Sequence, residues 1–443
     1  MPNARLIAID VLNRVFYGGA YSHIALDAAL SRADLSSRDA GLVTELVYGT
    51  LARKRTIDAL LEEFVNRPLK KLDRPVLLSL RMAVYQLLFL DRIPAHAAVD
   101  EAVEISKSRC GRGAAGFTNG VLRSLLRSED RWQIWSDVDP NEQPLRYLGL
   151  RHSLPDWIAA RLIERHGFED AMKMAATFNE RAPLYLRRAN HTTQATFEGL
   201  QPVDSVPGAF RADSMTDEIS AGLSKGELVV QDLGSQLIGH YCAPKKGQRI
   251  LDACAGLGGK SLHLAALVEG QADLMAVEPQ GSKLDKLKQS IEAAGLDGVE
   301  TFQGELEQLP EDVGDFDLIL VDAPCTGLGV MRRHPETRWR RSESDVNDRA
   351  ALQETLMEQA CARVRPGGVL IYSVCTFTAE EGPGRVENFL RDHPPFRRTG
   401  PPDNSGVDWT NLVDPNGDLQ LNPLEHDTDA FYACRLRYSP TNG

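Results

Sequence analysis

RILDACAGLGGKS (Arg249–Ser261) reads as a short buried strand, a glycine-rich turn and the opening of a helix. Strands of the same kind follow at DLMAVEP (273–279), VETFQGE (299–305), FDLILVDAP (316–324) and GVLIYSV (368–374). Between the first of them, GKSLHLAALV (259–268) and SKLDKLKQSIEAAG (282–295) carry helical periodicity. Short, continuous apolar strands are those covered on both faces. Their alternation with helices predicts a parallel, doubly wound α/β sheet over residues 226–443. DAFYACRLRY (429–438) is one further strand candidate.

The turn itself points to a ligand. Glycines let the backbone approach a bound molecule closely. Glu278 lies 22 residues after Gly256, where a doubly wound fold places a carboxylate against ribose hydroxyls. An adenosine-bearing ligand fits that pair of features. A P-loop requires glycine where Cys254 stands, and a dinucleotide fingerprint requires a third glycine where Ser261 stands. S-adenosylmethionine has no phosphate and suits a turn that lacks the full phosphate cradle. A purely structural turn is the alternative reading.

Two strands end in thiols. Asp322, Pro324 and Cys325 follow the fourth strand, and Cys375 follows the fifth. Ligands of open α/β sheets bind beyond the carboxyl ends of the strands, so both thiols are expected in the crevice that holds the turn. A thiol beside S-adenosylmethionine suggests cytosine chemistry. Addition of a thiolate to C6 makes C5 nucleophilic enough to take a methyl group, and an acidic group such as Asp322 could assist at N3. The chain has seven cysteines, an odd number, and none is spaced C-x-x-C. That argues against a disulfide framework and a zinc site, and no metal is expected. Cys110, Cys242, Cys361 and Cys434 read as buried small hydrophobes.

The remainder is helical, then mixed. Residues 1–130 carry apolar residues at three- and four-residue spacing throughout, including one long stretch at 38–65, and form an all-α domain. The SSRDA segment offers a cap, and Pro75 and Pro94 mark helix openings. Residues 131–225 read as a small α+β connector. It has helices at 154–167 and 169–179, a strand at APLYLRRAN (182–190), and a loop around VDSVPGAFRADS (203–214). A net charge of −12 and a pI near 5.4 weigh against a nucleic-acid partner only weakly, because screening confines each charge to about 8 Å. No apolar run reaches the roughly 18 residues of a membrane span, and no secretory signal is evident, so a cytoplasmic location is expected.

DACAGLGGKS, VDAPCTGLGVMRRHPETRW and YSVCTF together resemble the RNA cytosine-C5 methyltransferases of the NOL/NOP/Sun family, in its bacterial ribosomal branch of the Sun (Fmu, RsmB) type. IPAHAAVDEAVEISK and GFTNGVLRSLLR are similar to the helical RNA-binding domain of the antitermination factor NusB, which that branch carries at its front. The resemblance covers nearly the whole chain. It implies a NusB-like domain, the connector, and a Rossmann-like class I methyltransferase domain acting on 16S ribosomal RNA with S-adenosylmethionine. It also implies roles for single residues. Cys375 matches the nucleophile, Cys325 the cysteine that helps release product, and Asp322 the acidic residue near cofactor and base. Cys254, Ala255, Gly256, Leu257, Gly258, Gly259 and Lys260 match the cofactor loop. Glu278 matches the ribose carboxylate, and Glu305 stands where the family has an aspartate close to the adenine. Two departures concern the cofactor: Gly256 and Leu257 replace Ala-Pro of the usual loop, and Glu305 lengthens the acidic side chain.

DNA cytosine methyltransferases also carry a Pro-Cys, and on that reading Cys325 attacks. An inactive RNA-binding assembly factor is a third reading, which the intact Cys375 opposes. RNA contacts are expected from Arg332, Arg333, Arg338, Trp339, Arg340 and Arg341, a basic run beside Cys325 in which Trp339 could stack on a base. Arg187 is a weaker candidate in the connector, with Arg188, and Arg53, Lys54 and Arg55 are others in the helical domain.

Overall fold

The computed structural model describes residues 3–128, 130, 132–189, 196–271, 273–403 and 405–440. The chain divides into two compact units. The first comprises Met1–Arg181 and Met331–Ser342, and the second Ala182–Val330 and Glu343–Gly443. The expected connector is therefore split at Arg181. The helices expected at 154–167 and 169–179 belong to the first unit, and the strands belong to the second.

The first unit is helical: α1 (Ala4–Tyr17), α2 (Ser22–Leu30), α3 (Ser37–Ala52), α4 (Lys54–Phe64), α5 (Arg74–Phe89), α6 (Ala95–Cys110), α7 (Arg112–Leu126), α8 (Pro144–His152) and α9 (Asp156–Thr177). Ser36 caps α3 by accepting the Asp39 N–H, Pro75 sits in the first turn of α5, and Pro94 precedes α6. The stretch read as one helix over 38–65 is two. Arg53 leaves helical geometry (φ −97°, ψ 12°), and its residue is at once the end of α3 and the start of α4. Periodicity survives such a bend because both helices bury their apolar face in the same core of Leu46, Leu51, Ile57, Leu61, Leu78 and Leu122. Gly167, at φ 74°, breaks α9 where the sequence places a gap between two helices.

The second unit opens with a four-stranded antiparallel sheet of β1 (Leu184–Arg188), β2 (Leu200–Pro202), β3 (Ala209–Ala212) and β4 (Leu228–Val230), in the order β2-β3-β1-β4. Asn190, the last residue of the expected strand, lies outside the described residues. The 203–214 tract, expected as loop, contains β3. Ala209 and Ala212 turn inward on β3, and pairing with β1 through Leu184↔Ala212 outweighs the turn-rich composition.

Helices α10 (Asp217–Ser224) and α11 (Leu233–Cys242) lead into an eight-stranded sheet. Its strands are β5 (Arg249–Asp252), β6 (Asp273–Val277), β7 (Val299–Phe302), β8 (Phe316–Asp322), β9 (Val364–Val374), β10 (Phe396–Arg398), β11 (Leu419–Leu421) and β12 (Phe431–Tyr438). The order is β10-β12-β9-β8-β5-β6-β7, with β11 paired to β12. Strands β5 to β9 are parallel, as expected, while β12, β10 and β11 pair antiparallel, so the sheet is mixed. Consecutive strand residues feed opposite faces. Ile250, Leu318 and Ile371 join the cluster that includes Leu237, Leu262 and Leu284, whereas Leu251, Ile319 and Leu370 join Met357, Val386 and Phe389. Helices α11, α12 (Gly259–Leu267) and α13 (Gly281–Ala294) thus cover one face. Past α14 (Thr337–Arg340), which lies in the first unit, α15 (Ser344–Cys361) and α16 (Pro383–Asp392) cover the other; the last helix is α17 (Pro423–His426). Among the described residues no helix is long and apolar enough to cross a membrane.

Candidate active site

The order of strands reverses between β5 and β8, and doubly wound sheets bind their ligands in the crevice at such a switch. There the chain carries its acidic, basic and thiol groups together. The turn after β5 is held by backbone bonds from Ala253 N–H to Leu320 O and from Ala255 N–H to Val277 O. Gly258 has φ +85°, and a Cβ there would meet Leu287 Cδ1 at 2.1 Å, so only glycine fits. Gly256, one of the departures from the usual loop, also takes a positive φ of 58°, and the neighbouring Leu257 is exposed. Cys254, Ala255, Gly256, Leu257, Gly259, Lys260, Asp252, Asp322, Ser235 and Lys283 line a cavity of about 360 Å³.

Asp322 ends β8. Its Oδ2 accepts from Lys260 Nζ at 2.6 Å and its Oδ1 from Ser373 Oγ at 2.6 Å. Burial alone would lower the Lys260 ammonium, but the Asp322 carboxylate outweighs it and holds the pKa above the ordinary value. Asp252, on the neighbouring strand and level with Leu320 two residues before Asp322, is buried. It accepts from Ser261 Oγ at 2.6 Å and from the Cys254 N–H at 3.3 Å. Burial raises its carboxyl to about 6.

The two strand-end cysteines converge. Cys325 Sγ and Cys375 Sγ stand 3.2 Å apart, and both are free thiols. Cys375 is pushed well up, first by its hydrogen bond with Cys325, then by burial and by the charges of Cys325 and Asp322, with Lys260 pulling it down. The loops that present the thiols are tied by the buried Glu381. Its carboxylate accepts from Thr326 N–H (2.8 Å), Thr326 Oγ1 (2.6 Å), Thr378 Oγ1 (2.9 Å) and Gln353 Nε2 (3.1 Å). Gly329 N–H donates to Cys375 O at 3.0 Å, which holds the second loop against the first.

Glu278 is buried at the end of β6 and accepts the Gln280 N–H at 2.8 Å. Glu305 follows β7 and caps a short 3₁₀ turn reciprocally with Gln308. Both carboxylates bear on Cys254, whose thiol is pushed up by burial and then by Asp252, Asp322, Glu278 and Glu305. The sequence does not single out Asp252, Ser373 or Glu381, and it marks Ser261 only as the place where a dinucleotide fingerprint lacks its third glycine. A carboxylate ending the apolar RILD strand is the signal that could have found Asp252. Nothing local marks Ser373 or Glu381, whose partners come from other strands and loops.

The structure corrects two of the expected RNA contacts, Arg338 and Arg187, which are buried. Arg338 is fully buried in the first unit. Its Nη1 donates to Asn179 Oδ1 (2.8 Å) and the carbonyls of Ala52, His152 and Ser153, and its Nη2 to Phe178 O (2.6 Å). Trp339 Nε1 donates to Leu51 O at 2.6 Å, and Arg340 Nη2 to the carbonyls of Val15 and Ala20. Arg332 donates to Arg181 O at 2.9 Å. The carbonyls of Leu51, Ala52 and Val15 that Trp339, Arg338 and Arg340 reach are helix-end groups without an intrahelical donor. Arg332, Trp339 and Arg340 are half-buried, while Arg338, fully buried, is structural. Arg187 is likewise buried. It binds Gln231 Oε1 at 2.5 Å and Gly259 O at 3.4 Å, bracing the turn from β1, and burial lowers its pKa to about 10. Arg333 and Arg341 are half-buried and also have partners of their own.

The cavity suits an adenosine-bearing sulfonium. Its glycine backbone admits close approach, the carboxylates of Asp252 and Asp322 line it, and its Lys260–Asp322 pair acts on the thiol of Cys375. Residues 240–437 match the model of the 16S rRNA methyltransferase RsmB/F family, and residues 2–127 match the NusB family. The chain is 32% identical to the "Probable ribosomal RNA small subunit methyltransferase B" of Bacillus subtilis, with 98% of each chain covered. It is 30% identical to the ribosomal RNA small subunit methyltransferase B of Erwinia tasmaniensis, over 98% of this chain and 99% of the other. Among solved structures, PH0851 superposes with a TM-score of 0.81 at 24% identity over 98% of this chain and 99% of that one. NSun6 from Pyrococcus horikoshii with SFG gives 0.55 at 19% identity, over 65% and 98%. Full-length identity at this level shows that the chain belongs to the RsmB/F family of S-adenosylmethionine-dependent rRNA methyltransferases, with a NusB-family domain ahead of the methyltransferase domain.

Proposed function

We propose that this protein methylates C5 of a cytosine in 16S ribosomal RNA through a covalent bond between Cys375 and C6 of the base. The observation that carries the reading is the 3.2 Å approach of Cys325 Sγ to Cys375 Sγ beside the Lys260–Asp322 pair. A methyl transfer to oxygen or to an exocyclic nitrogen needs no thiol, whereas C5 does.

In the free protein Cys375 is a thiol of raised pKa, so it is held in reserve until the base arrives. The Cys375 proton passes to the neighbouring Asp322 carboxylate, Sγ bonds to C6, and the C5–C6 π electrons move to C5. The carboxylic acid that results can donate to N3, with the Lys260 ammonium beside it, and both draw the electrons of the addition into the ring. S-adenosylmethionine, when bound in the turn from Cys254 to Lys260 with Glu278 and Glu305 nearby, supplies the methyl cation equivalent that C5 takes. A base then removes the C5 proton, the C5–H electrons restore the C5–C6 double bond, and Cys375 leaves with the S–C6 electrons. Cys325, in contact with the leaving sulfur, is placed to return a proton to it. A cytosine in structured RNA must be turned out of its stack to reach the crevice. Ribosomal RNA as partner makes the cytoplasm its place of action.

Denaturing gels of the protein with S-adenosylmethionine and unmethylated small-subunit rRNA test the assignment. Cys325→Ala should accumulate a covalent protein–RNA band, and Cys375→Ala should give neither band nor methylated RNA. Methylation by Cys375→Ala would transfer the nucleophile's role to Cys325. A product other than 5-methylcytosine in the digested RNA would reject the C5 reading.

A further inference from the structure

We propose that His23, His334 and Glu336 form a site for a divalent transition-metal ion, Zn²⁺ in class, in the helical unit. More than 300 residues separate His23 from His334 in sequence, which is why cysteine spacing could not reveal it. The fold places both in the first unit, with His23 in the first turn of α2 and the other two on the segment that leads into α14. One potential ligand atom from each of the three residues lies within 4.8 Å of the others. The imidazole rings meet edge to face with centroids 5.0 Å apart.

Two further observations point to a ligand between them. Nδ1 of His23 and Nδ1 of His334 are both buried without a hydrogen-bond partner, although buried imidazole nitrogens are normally satisfied. Glu336 is itself buried, at 2% exposure, and its carboxylate is oriented by Ser22, from N–H and from Oγ, each at 2.8 Å. Each carboxylate oxygen keeps a lone pair. Such outer hydrogen bonds are what orient a metal-binding carboxylate.

Two imidazoles and one carboxylate are a borderline donor set. It suits Zn²⁺, and by the usual affinity order Co²⁺ more weakly, rather than Mg²⁺ or Ca²⁺, which prefer all-oxygen shells. Three protein ligands leave a fourth position for water. The ion would clasp the 331–342 segment to α2, next to the bonds by which Arg340 already holds it to the carbonyls of Val15 and Ala20. This site is independent of the cysteine chemistry proposed above.

The test uses the full-length protein, stripped with a chelator, equilibrated with Zn²⁺ and desalted, with bound metal measured by mass spectrometry. Wild type should retain one equivalent, and chelation should lower its Tm by several degrees. His23→Asn and His334→Asn should retain none and show no chelator effect, while a Cys325→Ser/Cys375→Ser variant keeps its equivalent. Co²⁺ in the wild type should give the visible bands of a four-coordinate site without thiolate charge-transfer absorption, a readout that needs no variant to fold. Failure of the wild type to retain metal would overturn the proposal. So would retention undiminished in the histidine variants, loss in the cysteine variant, or a thiolate spectrum.

Discussion

Lys260 Nζ lies 2.6 Å from Asp322 Oδ2, and this ion pair stands beside the thiol of Cys375, where the ammonium opposes the groups that raise the thiol's pKa. Removing the ammonium as Lys260→Met should push Cys375 further up and slow its alkylation at pH 8. Methyl transfer should fall about 10²-fold, in the range seen when one preorganised electrostatic group is lost. Alkylation of unchanged rate would show that the ammonium does not act on the thiol.

Cys325 has the opposite sign. Its hydrogen bond is the largest cause of the raised Cys375 pKa. Cys325→Ala should therefore lower that pKa and speed alkylation of Cys375, even as turnover is lost. A pH profile of alkylation with the two variants side by side measures both shifts.

Asp252 predicts a pH dependence of stability. Its carboxyl is raised from 3.8 to about 6 by burial. Between those values the folded protein binds more protons than the unfolded chain, so stability falls as pH rises from 3.8 to about 6 and the full cost persists above. Asp252→Asn should flatten that slope in Tm against pH. The gain at neutral pH should be on the order of 2 kcal/mol, provided Ser261 turns its hydroxyl to accept from the new amide. An unchanged slope would mean that Asp252 is ionised throughout.

Arg338 separates a structural role from RNA binding. Arg338→Leu would remove the guanidinium donor from the carbonyls of Ala52, Phe178 and Ser153 and from Asn179 Oδ1, while His152 O keeps its bond from Asn179 Nδ2. A loss of about 3 kcal/mol is expected, as for other broken buried charged networks. Thermal unfolding should shift while the salt dependence of RNA binding keeps its slope, since no phosphate contact is lost. A slope reduced by about one would restore Arg338 as an RNA contact.

Gly329 positions the Cys375 loop. A Cβ there would meet Ala430 O at 2.1 Å and Cys375 O at 2.9 Å. Gly329→Ala should displace the Cys375 backbone and lower kcat by about 10²-fold, the cost of a small misplacement of a reacting group. The KM for cofactor should change little, because its turn follows a different strand. An unaltered kcat would mean that the loop absorbs the methyl group.

Local pattern decided much of this molecule. Continuous apolar runs in RILD, DLMAV and FDLILVD read as strands covered on both faces, and the glycines after the first read as a tight turn at a strand end, where ligands of such sheets bind. The thiols Cys325 and Cys375 were legible for the same reason. Parallel strands deliver their carboxyl ends to one crevice, so a residue just past a strand is placed by topology. What the sequence could not express were partners distant along the chain. The run from Arg332 to Arg341 looks like a solvated basic patch because charge is local information. The carbonyls that bury Arg338, at Ala52, His152, Ser153 and Phe178, lie more than 150 positions away. The pairing of Ser373 with Asp322, the buried Glu381 between the thiol loops and the meeting of His23 with His334 are of the same kind. Short-range periodicity sets which residues are strand, helix and turn, because those depend on neighbours a few positions apart. Which polar group satisfies which buried partner was decided only when tertiary packing removed water and left each donor the acceptor the fold had brought to it.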